Sequence, residues 1–248
     1  MHESLRHLDH RPWPLPDQSW IWRQSWLDLA FIHYRVSRNQ LAPLLPRGVE
    51  PQEFDGSSWL GLVPFRMAGI SRRPLPFFPG LSSFPELNLR TYVEVEGKPG
   101  VWFFSLDADS WQLVFGGRQF YGLPYHLARM KQEWVDGWCE FSSQRRKGNA
   151  HFQGRYRPLD DPFTAKTGSF EHWAAERYCL YSQNRKRQLV RAEVHHQPWP
   201  LQQAEVEIRE STILSAVGIS PMDSDPICHF SSGVHVISFP VELLQTGS

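Results

Sequence analysis

Residues 87–109 read LNLRTYVEVEGKPGVWFFSLDAD. Leu87, Leu89, Thr91, Val93 and Val95 alternate with Asn88, Arg90, Tyr92, Glu94 and Glu96. A period of two is the mark of a strand whose faces meet different surroundings. The run GKPG, residues 97–100, then reverses the chain into VWFFSL. Two such runs joined by a short glycine-containing turn form a β-hairpin. Successive strand residues point to opposite faces, so Asn88 and Arg90 share a face with Glu86, which has the same parity.

The pattern extends outward from this hairpin. DSWQLVFGGRQFYG (109–122) predicts a helix capped by Asp109 or Ser110, with Trp111, Val114 and Phe115 on one side. The Gly116-Gly117 pair costs such a helix about 1 kcal/mol per glycine and is expected to break it. LPYHLARMKQEWV (123–135) alternates as a strand, turns at DGW and returns through CEFSSQRRK. AHFQGRYRP (150–158) is a further strand, and GSFEHWAAERY (168–178) is a short helix capped by Ser169. YCLYSQNRKRQLVRAEVHHQPW (178–199) reads as two strands joined by the polar loop SQNRKR. AEVEIREST and GVHVISFPV close the series. Upstream, WLDLAFIHYRV (26–36) and SWLGLVPFRMAGI (58–70) are strand-like, with the short helical run SRNQLAPLLPRG between them. The sum is about ten strands and three or four short helices, joined by antiparallel hairpins with no βαβ rhythm. This predicts one β-rich α+β domain over 20–248, either a barrel or a strongly curved sheet. Residues 1–19 precede it as an arm. Pro12, Pro14 and Pro16 favour an extended, polyproline-like path, and Trp13 and Leu15 can pin it to the body.

Composition excludes several classes of function. In 248 residues, Lys and Arg (26) balance Asp and Glu (26), so no net charge draws the chain to nucleic acid or to an anionic membrane. Three cysteines, Cys139, Cys179 and Cys228, form neither a C-x-x-C pair nor an even set, which argues against disulfides and a zinc site. No apolar run opens the chain and none approaches the ~20 residues of a membrane-spanning helix, so a cytoplasmic protein is expected. Phosphate-binding, dinucleotide, nucleophile-elbow and zinc-helix signatures are missing, and no cofactor is expected. His195 and His196 are adjacent on a strand, so they point apart and do not chelate one metal; one is expected in the sheet face and one in solvent. Arg185, Lys186, Arg187 and Arg191 are expected to lie at a solvated hairpin tip, with contact to a phosphate as the alternative.

One constellation carries chemistry: Glu86, Asn88, Arg90, Arg118, Tyr121, Tyr125 and His126. The first three share a strand face, Arg118 and Tyr121 end a helix, and Tyr125 and His126 begin the next strand. An arginine can fork a carboxylate. Glu86 or His126 can move a proton, and a tyrosine can polarise a carbonyl oxygen. Glu86, Tyr125 and His126 are therefore the candidate catalytic groups, and Asn88, Arg90, Arg118 and Tyr121 the candidate substrate-binding groups. Spacing alone favours a plain salt bridge between Glu86 and an arginine over a catalytic role.

The blocks HRPWPLP, FPELNLRTYV, FFSLDA, LPYHLARM, ERYCLY and HHQPWPLQ occur in that order, and the resemblance they carry runs from His10 to about Val241. Together they resemble the YqjF-like family, a bacterial domain of unknown function, which is more distantly similar to the acetoacetate decarboxylase superfamily. The resemblance implies a curved antiparallel sheet forming a cone-like barrel, with short helices outside and a site in its interior. In acetoacetate decarboxylase a block similar to GRQFYGLPYHLA carries two neighbouring lysines, one of which forms a Schiff base with the substrate. Here those places hold Tyr125 and His126. A glutamate lining that pocket maps onto Glu86. A phenol or imidazole forms no iminium with a ketone. Lys131 lies six residues beyond Tyr125, ~20 Å along a strand. The resemblance thus implies the fold and a pocket without the parent reaction, since fold is a weak guide to function.

Three readings stay open at this level. The interior is a non-covalent acid–base enzyme site for a small organic acid or carbonyl compound in the first reading, a non-catalytic binding or sensing pocket in the second, and a filled scaffold whose aromatic arm contacts a partner in the third. A small-molecule ligand is expected, with no nucleic acid or membrane partner; homo-oligomerisation is left open.

Overall fold

A computed structural model of the chain describes residues 2–75 and 83–244. After a 3-10 turn at Glu3–Arg6 come β1 (Trp22–Val36), α1 (Arg38–Leu41), β2 (Glu50–Pro51), β3 (Glu53–Phe54), β4 (Ser57–Arg72), β5 (Ser83–Val95) and β6 (Lys98–Ala108). They are followed by α2 (Trp111–Phe120), β7 (Tyr125–Val135), β8 (Trp138–Arg145), β9 (His151–Pro158) and α3 (Phe170–Ala175). The series ends with β10 (Cys179–Gln183), β11 (Leu189–His195), β12 (Leu201–Ser211), β13 (Ile227–Ser238) and β14 (Glu242–Leu243). Residues 76–82 and 245–248 of the expected domain, and Met1 of the arm, lie outside the described residues.

The strands make one curved sheet. Hydrogen bonding runs β5–β6–β7–β8–β9–β12–β13–β1–β4 and back to β5, a ring of nine strands. β10 and β11 make a shorter bridge between β6 and β13. Curvature enters through irregularities such as that in β1, where pairing with β4 shifts between Leu27 and Ile32 and Asp28 has φ 52°. An extra residue in one strand bends it locally.

The hairpin at 87–109 forms, with its turn one residue earlier than expected. Glu96 (φ 52°) and Gly97 (φ 73°) are the two turn residues, and Lys98 already pairs with Val95. Positive φ at both positions matches the right-handed twist of the strands. Two pairings depart from the expected antiparallel rule: β6–β7 and β10–β6 are parallel. β6, α2 and β7 therefore form a crossover unit, because the 16 residues from 109 to 124 carry the chain back to the same end.

α2 also differs from expectation. Ser110 caps it, accepting from the Leu113 N–H, but the helix runs through Gly116 and Gly117 without a break. Val114 and Gly117 face inward, while Trp111 and Phe115 are exposed. Packing explains Gly117, where an added Cβ would lie 2.5 Å from the Tyr125 ring. β7 can seat Tyr125 only against a residue with no side chain.

Both faces of β5 are buried. Leu87 and Leu89 pack with Ile32, Leu62, Phe141 and Phe152 between the ring strands. Tyr92 packs on the opposite side with Phe31, Phe65 and Phe103. The arm is pinned as expected and closes over β11. Arg11 pairs with Glu193, Trp13 Nε1 donates to Glu193 at 2.9 Å, and the Ser4 carbonyl lies 2.9 Å from His195 Nε2. That cover corrects the expectation for the two histidines, since both are buried and neither meets solvent. Arg191 is also buried, paired to Glu242 at 2.7 Å, leaving Arg185, Lys186 and Arg187 at the exposed tip.

Candidate functional site

The ring encloses a cavity of about 500 Å³. This falls within the range of ~300–1,000 Å³ usual for small-molecule sites. Alternation along β5 delivers Glu86, Asn88 and Arg90 into it. β7 delivers Tyr125, and the end of α2 places Tyr121 at the rim beside Trp22. Most of the remaining wall is apolar, with Phe31, Val63, Phe65, Phe103 and Leu106 prominent.

Glu86 is the centre of this wall. Its side chain is 1% exposed and accepts a hydrogen bond from Tyr125 Oη at 3.1 Å. Asn88 supplies a second one. Burial drives the Glu86 pKa up to about 8, against the lowering effect of those two donors. No cation pairs with it among the described residues. At neutral pH it is therefore chiefly a neutral acid, poised to give or take a proton. Burial, and then Glu86 itself, push the Tyr125 phenol well above its ordinary value, so it stays a donor.

Arg90 sits four residues further along β5, about 13 Å from Glu86 by strand rise. Its guanidinium lies over Phe31 and Tyr92, at 5.6 and 5.8 Å from the ring centres. Beside it stands Arg177, which sequence reasoning did not single out. Arg177 is 6% exposed, donates to Gln52 Oε1 and to the Trp173 carbonyl at 2.5 Å, and lies 5.2 Å from the Tyr92 ring centre. Burial lowers its pKa to about 9, with Tyr92 opposing and Arg90 adding to the drop; it remains a cation at neutral pH. Neither arginine has an ion-pair partner among the described residues. Tyr92 also holds His33, Oη to Nε2, at 2.6 Å.

Arg118 and His126 do not line the cavity. Arg118 Nε donates to the Tyr125 carbonyl at 2.6 Å, a backbone contact that steadies the start of β7. His126 follows Tyr125 on the strand and so points to the opposite face. In the parallel register it stands beside Asp107. Burial, then Arg145 and Arg118, hold its pKa down at about 4. Five of the seven sequence candidates thus meet in one cavity; strand parity turns His126 away from it, and Arg118, on α2, is held at the Tyr125 carbonyl. Arg177, His196, Trp26 and Trp199 are the functional-site candidates that the sequence did not reveal. Arg177 lies between α3 and β10, outside any alternating run, so no local pattern marks it.

Several buried polar atoms on this wall have no protein partner: Asn88 Oδ1, Arg90 Nε, one Arg177 Nη, and the indole N–H groups of Trp26 and Trp199. Buried polar groups are ordinarily satisfied, so these atoms are the ones on the wall free to take a polar partner. No lysine is among the lining residues. Lys131 is exposed and pairs with Glu133. No group of three His, Cys, Asp or Glu among the described residues could hold a metal ion. None of the described helices is long and apolar enough to cross a membrane.

Residues 23–235 match a conserved family known as DUF2071, an uncharacterized conserved protein. The chain belongs to that family. Over 228 residues it is 42% identical to the uncharacterized protein YqjF of Bacillus subtilis (strain 168), covering 92% of this chain and 94% of that one. Solved structures show the same fold at lower identity. Acetoacetate decarboxylase of Legionella pneumophila superposes with a TM-score of 0.63 at 16% identity, covering 94% of this chain and 92% of the decarboxylase. The enduracididine biosynthesis enzyme MppR, complexed with pyruvate, gives 0.66 at 15% identity, covering 96% and 93%. At such identities the likeness is one of fold. The DUF2071 chain therefore has an acetoacetate decarboxylase-like architecture with a phenol, a carboxyl and two guanidinium groups facing its cavity.

Proposed function

We propose that this cavity binds a small organic acid or carbonyl compound and moves protons on it without a covalent link to the protein. The observation that carries the reading is Glu86, buried in an apolar wall, bonded to Tyr125 at 3.1 Å and tuned to about pH 8. A carboxyl group near neutrality is an effective general acid and base. Arg90 anchors the substrate carboxylate, Asn88 and Tyr121 orient the substrate, and the single Tyr125 O–H, which donates to Glu86 in the free protein, turns to the substrate carbonyl while Glu86 exchanges the proton. Arg118 supports Tyr125 through its carbonyl, and His126 is left out of the chemistry. The lysine-free lining supports a route without an iminium, and so an activity other than that of acetoacetate decarboxylase. A protein of the same fold holding pyruvate supports an oxo acid as the ligand class.

The test is a panel of oxo acids, with the oxo group next to the carboxylate or further along the chain, in D₂O, with C–H to C–D exchange followed by NMR. Exchange is expected with the native protein and is slowed by roughly 10²-fold or more in Glu86→Gln. Arg90→Ala should weaken the binding of any carboxylate, and unchanged affinity would remove its anchoring role. Borohydride should leave the protein mass unchanged. A lysine adduct would overturn the non-covalent route. Binding without exchange would reassign the cavity to a carrier or sensor.

A further inference from the structure

The cavity has a direction. β1 and β5 both pair antiparallel with β4, so they run alongside each other. Trp22 at the start of β1 stands by Tyr121 at the end of α2. Three aromatic residues of α2 line this end and are open to solvent: Trp111 (65% exposed), Phe115 (62%) and Phe120 (72%). Further along both strands the wall closes. Glu86 is 1% exposed, Phe31 1%, and Tyr92 0%. Trp173 of α3 packs on Tyr92 with ring centres 4.6 Å apart. Arg90 and Arg177 are gathered at this closed end, around the Tyr92 ring.

Two features need explaining together. A pair of guanidinium groups is held at the bottom of an apolar cavity with no ion-pair partner among the described residues, Glu94 acting on Arg177 only at longer range, an arrangement that is costly unless an anion joins them. At the other end a helix turns large aromatic side chains outward, where an apolar patch ordinarily marks a binding surface. Between the two poles the wall is mostly hydrocarbon. One ligand answers to all three regions. Resting on the reading that the cavity takes an organic acid, we propose that the acid is an amphipathic monocarboxylate entering head first. Its carboxylate is bound by Arg90 and Arg177 at the closed end, and its apolar tail runs past Glu86 to the aromatic mouth formed by α2. In this pose Glu86 and Tyr125 stand between the head and the mouth, with the Glu86 backbone about 13 Å along the strand from that of Arg90. A carbonyl or hydroxyl on the chain, rather than one next to the carboxylate, would then be the group they address.

The experiment is calorimetric titration of the full chain with butanoate, decanoate and decanamide. A buried methylene strengthens binding about fourfold, so decanoate is expected to bind roughly 100-fold more tightly than butanoate even with partial burial. Decanamide, of equal length without the charge, should bind at least tenfold more weakly than decanoate, a comparison that needs no variant. Arg177→Met should erase that difference, and Trp111→Ser with Phe115→Ser, at exposed positions, should weaken decanoate but not butanoate. Equal affinity for butanoate and decanoate would overturn the tail assignment while leaving the organic-acid reading intact. Equal affinity for decanoate and decanamide would overturn the arginine head site. Mouth variants that leave decanoate binding unchanged would show that the α2 aromatics serve something other than the ligand. Failure of both acids to bind would remove this proposal and the organic-acid reading together.

Discussion

Strands β5, β6 and β7 bury a carboxyl group on each side of the sheet, and the two are held in opposite ways. Asp107 faces away from the cavity and is 1% exposed. Arg145 Nε donates to it at 2.7 Å and Ser143 Oγ at 3.1 Å. Burial raises its pKa, and those partners work against the rise. Glu86, equally buried, has a phenol and an amide for neighbours and no cation. One acid is compensated as an ion by the fold. The other is kept neutral with its proton available. The arginines divide in the same way: Arg145 is spent on Asp107, whereas Arg90 and Arg177 have no ion-pair partner among the described residues. Buried charge that the protein balances itself belongs to structure, and the two cavity arginines are the candidates for recognition.

The largest effect should come from breaking the compensated side. Arg145→Met strands a buried carboxylate and should cost about 3–5 kcal/mol of stability in urea denaturation. A loss no larger than that of a surface substitution would show that Asp107 is not held as an ion, and the contrast would collapse. Next in size is the pH dependence of Glu86→Gln relative to the native protein. Because the folded pKa of Glu86 is raised to about 8 from 4.5, the native state holds the proton more tightly than the unfolded chain. The stabilising proton is fully in place below pH 4.5, and its contribution is lost as pH rises to 8. The variant should therefore gain on the native protein across that window, by at most ~1.4 kcal/mol per pH unit, and level off above it. A flat difference would mean that Glu86 titrates normally. The smallest effect tests the seat of Tyr125. Gly117→Ala should cost about 1–3 kcal/mol by crowding its ring. At Gly116, where an added Cβ meets nothing within 4 Å, the same change should be neutral or mildly stabilising. Equal effects would show that Gly117 does not set the position of Tyr125.

Much of the fold was legible because the signals were local. Alternation at 87–95 placed Glu86, Asn88 and Arg90 on one face, and Ser110 and Ser169 cap helices as their positions suggested. The site was only partly legible. Tyr125 and His126 were assigned together, although strand parity sends them to opposite faces. The α2 residues Trp111 and Phe115 fitted a buried stripe, yet they are exposed because the helix turns Val114 and Gly117 inward and leaves them at the cavity mouth.

By itself the sequence determined most of the long strands, the place of the β5–β6 hairpin to within a residue and which β5 side chains travel together, since these follow from backbone geometry over a few residues. Tertiary structure alone decided which face became a cavity and which a core. It closed nine strands into a ring, set β7 parallel to β6 so that Tyr125 meets Glu86, and brought Arg177 to Arg90 from 87 positions away. Those outcomes depend on contacts between segments remote in the chain, and neither periodicity nor propensity encodes them.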